Sequence, residues 1–250
     1  MASFGRLHLI TDTRPGRDPL GVLRAALAVP GAAADLVVQL RVEDHLTDRE
    51  AYELAGRVRQ LCAPAGVPWL VNDRLDVALA AGAGGGHVGA HDLPVGVARR
   101  VLGPAALLGA TAREPAAART AVAHGASYLG VGPAYPSGTK PALPEPIGPA
   151  GVGAVAADLP GTPVIAIGGI TVDRVPELLA AGAYGVAVVG AVFAAADPGR
   201  AVAELLDALR RGPRPPGAEP ERPGPPGVGP HRAAGTAAAV GGGGGAGVPR

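Results

Sequence analysis

Residues 125–132 read Gly-Ala-Ser-Tyr-Leu-Gly-Val-Gly, a glycine followed by a short apolar run that ends in glycine. The same order of residue types recurs at residues 82–89 and 182–190. Because glycine commonly takes the left-handed conformation that ends a helix, each copy is predicted to close a helix and to begin a strand. A helix, a glycine and a strand in regular succession indicate parallel β/α units.

Outward from these three copies, short apolar runs predict eight strands in all. About 210 residues for eight units suit a compact (β/α)8 TIM barrel of the α/β class. An open doubly wound sheet is the alternative, and it is less favoured because the units are even and no Gly-x-Gly-x-x-Gly motif follows the first strand. The predicted strands lie near residues 6–10, 36–41, 68–71, 86–89, 106–110, 127–131, 163–167 and 185–189.

The second helix of the pattern is predicted to begin with Asp48 as its cap. Its apolar positions follow the helical spacing and include Cys62, which we expect to be buried. Since Cys62 is the only cysteine of the chain, an internal disulfide and a cysteine-based zinc site are excluded.

The overall composition is 48% hydrophobic and 17% charged, with a formal net charge of +1, which fits one globular domain. No apolar run is long enough to predict a membrane span, and the first strand begins too early to leave room for a signal peptide. The near-neutral charge and the low aromatic content, 3%, give no reason to expect nucleic acid as a partner. We therefore expect a cytoplasmic protein that acts on small molecules, and a homo-oligomer is left open.

The composition changes near residue 212. Glycine and proline dominate from Pro213 to Arg250, and no hydrophobic period is present. Such a segment cannot bury enough apolar surface to offset the entropy of ordering it. We expect residues 1–212 to form the barrel domain and residues 213–250 to be a disordered tail that folding does not need.

Polar residues follow the predicted strands at the ends where barrel enzymes carry their chemistry. The loop after the sixth strand also ends on Lys140, the only lysine of the chain, and its hydroxyls and backbone N–H groups suit a phosphate ester. Glycines follow the seventh and eighth strands, where barrels commonly hold phosphate on backbone amides. In chain order the candidates are Gln39, Arg41, Asn72, Asp73, Asp92, Thr111, Ser137, Gly138, Thr139, Lys140, Gly168, Gly169, Val189 and Gly190.

Several of these stretches, in this order and at this spacing, resemble the thiamine phosphate synthase family. The resemblance runs from about residue 6 to residue 210 and extends to a sister family, the thiazole tautomerases. The stretches that carry it are Gln39-x-Arg41, Val71-Asn72-Asp73, residues 87–92, residues 130–140 and residues 165–171.

The resemblance implies a barrel that joins two phosphorylated halves of thiamine and releases diphosphate. Mg²⁺ would be held by Asp73 and Asp92, and the catalytic cations Arg41 and Lys140 would meet the leaving diphosphate. The aminopyrimidine would be bound by Gln39 and Asn72, with Thr111 in place of a common serine. The thiazole phosphate would be held by Ser137, Gly138 and Thr139 and by the backbone amides of Gly168, Gly169, Val189 and Gly190.

One residue departs from the family pattern: Glu43 stands where a lysine is common. An unpaired carboxylate facing the diphosphate would repel it, so we expect Glu43 to be turned outward or paired, for example with Arg74.

Two other functions remain open at this point. A thiazole tautomerase would carry a histidine after the fifth strand, where Thr111 stands, and would tend to lack the pair Asn72-Asp73. A catalytically silent phosphate-binding barrel would bind ligand without turnover.

Simpler roles also remain for single residues. Asp73 and Asp92 could cap the helices that follow them, and Gly168-Gly169 could only turn a strand into a helix. His87 and His91 are expected to be structural or solvated rather than ligands.

Overall fold

The computed structural model describes residues 4–138 and 143–214. These residues form a closed barrel of eight parallel strands, each hydrogen-bonded to the next in chain order, with the eighth paired to the first. The predicted (β/α)8 barrel is confirmed, and no strand boundary differs from its predicted place by more than two residues. The strands are β1 Leu7–Ile10, β2 Leu36–Leu40, β3 Trp69–Asn72, β4 Gly85–Val88, β5 Leu107–Ala112, β6 Tyr128–Val131, β7 Val164–Ile167 and β8 Gly185–Val188.

Helices follow the strands and pack around the barrel. One extra short helix stands between β8 and the last long helix. Within the described residues the helices are α1 Pro19–Leu27, α2 Asp48–Cys62, α3 Leu75–Ala81, α4 Val95–Leu102, α5 Pro115–Ala123, α6 Gly148–Asp158, α7 Val175–Ala180, α8 Gly190–Phe193 and α9 Pro198–Arg211.

The helix ends follow the local sequence. Gly82 caps the end of α3 with a φ of 70°, and Gly125 and Gly182 take φ of 100° and 105° just past α5 and α7. The predicted cap of α2 is wrong by one residue, since Thr47 caps it. The Thr47 hydroxyl accepts from the Glu50 backbone N–H while the Glu50 carboxylate accepts from the Thr47 N–H, and this reciprocal pair satisfies two otherwise unpaired donors.

Two apolar clusters hold the fold together. The larger one lies between the strands and the surrounding helices and includes Cys62, which is fully buried as expected, and burial raises the pKa of its thiol to about 12. The smaller one fills the inside of the barrel, together with the buried side chain of His8, which contacts the rings of Phe4 and Tyr128. Its members are Phe4, Ile10, Val37, Leu70, Leu107, Tyr128, Ile165, Tyr184 and Ala187.

The amino-terminal end of the barrel is closed by a buried arginine. The Arg6 guanidinium donates to the carbonyls of Tyr184, Leu209 and Pro213 at 2.8, 2.6 and 2.6 Å. Arg214 reaches the carboxylate of Asp35 at 3.3 Å. The described chain therefore contacts the barrel as far as residue 214, two residues past the predicted domain boundary, and the rest of the predicted tail lies outside the described residues.

None of the helices in residues 4–138 and 143–214 combines the length and the apolar character needed to cross a lipid bilayer.

Candidate active site

Two side-chain amides meet at the carboxyl ends of β2 and β3. These strands are neighbours, and Gln39 stands opposite Leu70, two residues before Asn72. Gln39 is only 3% exposed, and its Nε2 donates to Oδ1 of Asn72 over 3.1 Å. This hydrogen bond fixes the orientation of both amides, so the remaining donor and acceptor atoms of the pair have defined directions at the rim.

Arg41 is held by its backbone from the loop after β1. The hydroxyls of Thr11 and Thr13 donate to the Arg41 carbonyl at 3.2 and 3.0 Å, and the Arg41 N–H donates to Thr11 at 2.9 Å. The guanidinium then pairs with Glu43, with Nη2 3.1 Å from Oε1. Glu43 is therefore paired, as expected.

Its partner is not the one suggested by the sequence. Arg74 is engaged instead with Asp48 at 2.8 Å and with Asp76 at 2.7 Å. The reason is topological: α3 turns Arg74 toward the start of α2, away from the loop that follows β2.

A second charged group lies on the loop after β1, which contacts the Arg41 backbone, and it was not predicted from the sequence. Asp12 follows β1, and its side chain is 2% exposed. Its carboxylate accepts from Arg14 at 2.8 and 2.6 Å and lies 3.3 Å from Nε of Arg17. The hydrogen bond with Arg14 is the main cause of a lowered pKa at Asp12. The only sign of it in the sequence was an aspartate shortly after a strand, and an aspartate at such a position is often just the cap of the next helix.

The two candidate metal ligands lie on adjacent loops. Asp73 follows β3, and its N–H donates to the carbonyl of His87 at the end of the neighbouring β4. Asp92 lies in the next loop, where its Oδ2 accepts from the Gly89 N–H at 2.6 Å. Neither aspartate is a helix cap, because α3 begins after Arg74 and α4 begins after Pro94.

A magnesium site built on these two carboxylates would need further oxygen ligands from a substrate or from water. No group of three or more His, Cys, Asp or Glu side chains in the described ranges is arranged to hold a metal ion. Mg²⁺ is commonly bound by one or two carboxylates together with substrate phosphate oxygens and water. Asp73 and Asp92 would supply the two carboxylates of such a set and would leave the remaining positions to a ligand.

Thr111 is anchored by a histidine inside the barrel. His87 Nε2 lies 3.0 Å from Oγ1 of Thr111, and His87 Nδ1 lies 3.1 Å from the hydroxyl of Tyr128. Burial lowers the pKa of His87 to about 4, so the imidazole is neutral near pH 7. Gly109 is required beside this contact, since a Cβ there would come within 2.3 Å of His87 Nδ1. His87 is thus a structural residue that holds the Thr111 hydroxyl.

The loop after β6 is bound to the loop after β7. The N–H groups of Ala134 and Tyr135 donate to the carbonyls of Ile167 and Gly168 at 2.8 and 3.0 Å. This contact holds the loop that carries Ser137 and Gly138 against the Gly168-Gly169 turn. Thr139 and Lys140, both predicted for the phosphate site, lie outside the described residues.

The glycine pair after β7 has a structural reason of its own. Gly168 and Gly169 take φ of 96° and 63°, in the left-handed region. A Cβ on Gly168 would lie 2.5 Å from Cβ of Pro133, and one on Gly169 would lie 2.4 Å from the carbonyl oxygen of Pro136. Two glycines are therefore needed for the loop after β6 to pack against this turn, whether or not the turn also binds a ligand.

The last two predicted residues stand at the end of β8, next to the glycine turn. β8 pairs with β7, and Ala187 stands opposite Ile167, the residue before Gly168. Val189 follows β8, and α8 begins at Gly190. First-turn N–H groups of a helix have no partner within the helix, so this end of the barrel offers backbone donors from two adjacent strands.

Two clefts in the described ranges lie away from the predicted site residues. One of about 290 Å³ lies between α6 and α7 on the side where β7 begins, and it is lined by Ala156, Leu159, Pro160, Thr162, Ala181 and Tyr184 among others. It contains none of the predicted site residues, and its lining is largely small and apolar.

The fold and the rim together define a (β/α)8 barrel with amides, guanidinium groups, carboxylates and glycine turns gathered at the carboxyl ends of its strands. The model of the thiamine monophosphate synthase family matches residues 7–192, which is most of the chain. The chain therefore belongs to this family, and the resemblance seen in the sequence is confirmed.

Individual relatives agree with the family assignment. The chain is 65% identical over 209 residues to the thiamine-phosphate synthase of Salinispora arenicola, which covers 84% of this chain and 99% of that protein. It is 44% identical to the thiamine-phosphate synthase of Moorella thermoacetica, over 82% of this chain and 96% of that one. The solved structure of thiamine phosphate pyrophosphorylase from Pyrococcus furiosus is similar at 34% identity with a TM-score of 0.73, covering 82% of this chain and 95% of that one.

Proposed function

We propose that this protein is a thiamine-phosphate synthase. It couples 4-amino-2-methyl-5-hydroxymethylpyrimidine diphosphate with a thiazole phosphate to give thiamine phosphate and diphosphate. The observation that carries the proposal is the Gln39–Asn72 amide pair next to Arg41 at the rim of a barrel that belongs to this family. A planar, hydrogen-bonding ring and a leaving anion are the two features that these groups suit.

The reaction places a limited demand on the protein. A bond forms between the thiazole nitrogen and the pyrimidine methylene carbon, and the bond from that carbon to a diphosphate oxygen breaks. Diphosphate leaves with the electron pair of the broken bond. Because the thiazole nitrogen already carries a lone pair, no side-chain nucleophile is needed, and the protein has to orient two rings and stabilise the leaving charge.

The aminopyrimidine is assigned to the amide pair. Gln39 is held by Asn72 and buried, so its position changes little when a ligand enters. The amide atoms that are not used in this bond can pair with the ring nitrogen and the amino group. Thr111, fixed by His87, supplies a hydroxyl from β5, two strands along the barrel from Asn72.

The diphosphate is assigned to Arg41 and Lys140, which provide positive charge where the leaving oxygens develop negative charge. Asp73 and Asp92 would hold Mg²⁺. When bound, this ion would neutralise part of the charge on the diphosphate oxygens.

The thiazole phosphate is assigned to the turns after β6, β7 and β8. The backbone N–H groups near Gly168, Gly169, Val189 and Gly190 are donors that need no side-chain charge, and anions are commonly held in this way. Ser137, Gly138 and Thr139 would close the site from the loop after β6.

The test is a direct assay. Purified protein is mixed with both phosphorylated halves and Mg²⁺, and thiamine phosphate and diphosphate are measured. We expect both products in equal amounts and none when either half is left out. Binding of both halves without product would instead support a silent phosphate-binding barrel, and conversion of the thiazole half alone would support a tautomerase.

A further inference from the structure

A cluster of charged side chains lies where the loop after β1 meets the end of β2. It contains three guanidinium groups and two carboxylates: Arg14, Arg17 and Arg41 with Asp12 and Glu43. Asp12 holds Arg14 with two hydrogen bonds and Arg17 with one contact, and Glu43 holds Arg41. We call these five residues the β1–β2 charge cluster.

The backbone joins the two halves of the cluster. Thr11 and Thr13 both donate to the carbonyl of Arg41, and the Glu43 N–H donates to the Thr13 hydroxyl over 3.1 Å. The hydrogen bond to Asp12 is the main cause of a raised pKa at Arg14, and the charge of Glu43 adds to it. The hydrogen bonds at Thr11 and Thr13 therefore hold the loop that carries Arg14 and Arg17 against the residues that carry Arg41 and Glu43.

The charges within the cluster do not cancel. Arg41 and Glu43 neutralise each other, and Asp12 neutralises only one of the two arginines that contact it. The Asp12 side chain is 2% exposed, whereas Arg14 and Arg17 are 40% and 43% exposed. A ligand that approaches this end of the barrel meets guanidinium groups while the carboxylate that orients them stays covered.

The geometry points to a role for Arg14 and Arg17 in binding the diphosphate group next to Arg41. Guanidinium groups bind phosphate oxygens through paired N–H donors, and here a buried carboxylate already fixes their positions. That this diphosphate belongs to the pyrimidine substrate rests on the proposed function. Affinity for the diphosphate group itself does not depend on turnover.

The test uses the full chain and inorganic diphosphate as the probe, titrated by calorimetry at fixed Mg²⁺. Arg17→Gln leaves the double hydrogen bond between Arg14 and Asp12 in place, so it should fold like the parent. A second variant, Asp12→Asn with Arg14→Gln and Arg17→Gln, removes both cations without leaving a buried carboxylate unpaired. The matched control is Arg24→Gln, which changes the charge equally on an exposed position of α1.

We expect Arg17→Gln to weaken diphosphate binding about tenfold, which is the scale of losing one hydrogen bond to a charged group. The triple variant should weaken binding further, and Arg24→Gln should bind diphosphate like the parent. The inference is overturned if both variants bind diphosphate within twofold of the parent, if Arg24→Gln loses as much affinity, or if the parent does not bind diphosphate. Arginine-dependent binding in a protein that forms no thiamine phosphate would refute the proposed function and leave this inference standing.

Discussion

Asp73 has a backbone φ of 61°, in the left-handed region. It is the only non-glycine residue with a positive φ among the residues that the structure describes. Holding a residue there costs roughly 1–3 kcal/mol, which persists only where the surroundings impose it. The Asp73 N–H donates to β4, and its carbonyl accepts from the N–H of Leu75, so the backbone is fixed on both sides. These contacts fix the Asp73 backbone between the end of β3 and the start of α3, on a loop adjacent to the one that carries Asp92.

This geometry makes a prediction for the metal ligands. Asp73→Asn and Asp92→Asn should each lower kcat/KM by more than about 100-fold, the scale for removing one strong electrostatic contact. Asparagine also tolerates the left-handed region and keeps an oxygen acceptor, so the fold should be unchanged. Steady-state rates are measured over a range of Mg²⁺ concentrations, with Asp76→Asn on α3 as the matched control. Near-parent rates in both variants at saturating Mg²⁺ would exclude the metal assignment.

Single residues also mark how far the sequence could predict the site. Gln39 and Asn72 could be placed together because both stand at the ends of neighbouring strands. The partner of Glu43 could not be found, since the choice between Arg41 and Arg74 depends on the direction in which α3 turns its first residue. Asp12, Arg14 and Arg17 were missed because their contacts form within a loop that has no periodic pattern.

At the scale of elements, the turn after β7 supports the loop after β6. Gly168→Ala and Gly169→Ala should each lower the free energy of unfolding by about 2–4 kcal/mol, because each combines left-handed backbone with a close contact. Gly138→Ala, in the loop after β6, is the control, because nothing lies within 4 Å of the added Cβ. Unfolding is followed in denaturant by circular dichroism. Equal stability of all three variants would show that the two loops can separate without cost.

The elements themselves were the most predictable part of the molecule. Each short apolar run that follows a glycine became a strand, because a buried parallel strand needs a continuous apolar sequence. Helix starts were less certain: Asp48 and Thr47 are both good capping residues, and only the reciprocal hydrogen bonds with Glu50 decide between them. The Gly168-Gly169 pair could be assigned to a turn, but its fit against Pro133 and Pro136 depends on a contact between distant loops.

At the scale of the whole molecule, two buried histidines make stability depend on pH. Burial lowers the pKa of His8 from 6.5 to about 3 and that of His87 to about 4. Nε2 of His8 has no hydrogen-bond partner among the described residues. The unfolded chain therefore takes up protons below pH 6.5 that the folded barrel does not, and stability falls as the pH falls toward the folded values.

The free energy of unfolding should therefore fall by about 1.4 kcal/mol per pH unit for each such histidine as the pH is lowered below 6.5. His8→Leu should reduce the loss of unfolding free energy between pH 6 and pH 5 by about this amount. Denaturant titrations at the two pH values provide the measurement, and His91→Gln at an exposed position serves as the control. An unchanged slope in His8→Leu would contradict the assignment of a neutral, buried His8.

The end of the fold can be located by truncation. A chain that ends at Arg214 should melt like the full chain, since the contacts of Arg6 and Asp35 with residues 213 and 214 are kept. A chain that ends at Gly212 removes the Pro213 carbonyl from a buried guanidinium and should lose about 1–3 kcal/mol. Thermal unfolding of the two chains is compared directly. Equal melting temperatures would place the end of the fold at residue 212.

In the proposed function, the carboxyl ends of the strands form the site where the two thiamine halves are joined. The most direct measurement is a crystal structure of the protein with thiamine phosphate, diphosphate and Mg²⁺. We predict the pyrimidine ring against the Gln39–Asn72 pair, diphosphate beside Arg41, and the thiazole phosphate at the turns after β7 and β8. Product bound in the cleft between α6 and α7, or bound at the rim without contact to Gln39 and Asn72, would contradict this assignment of the active site.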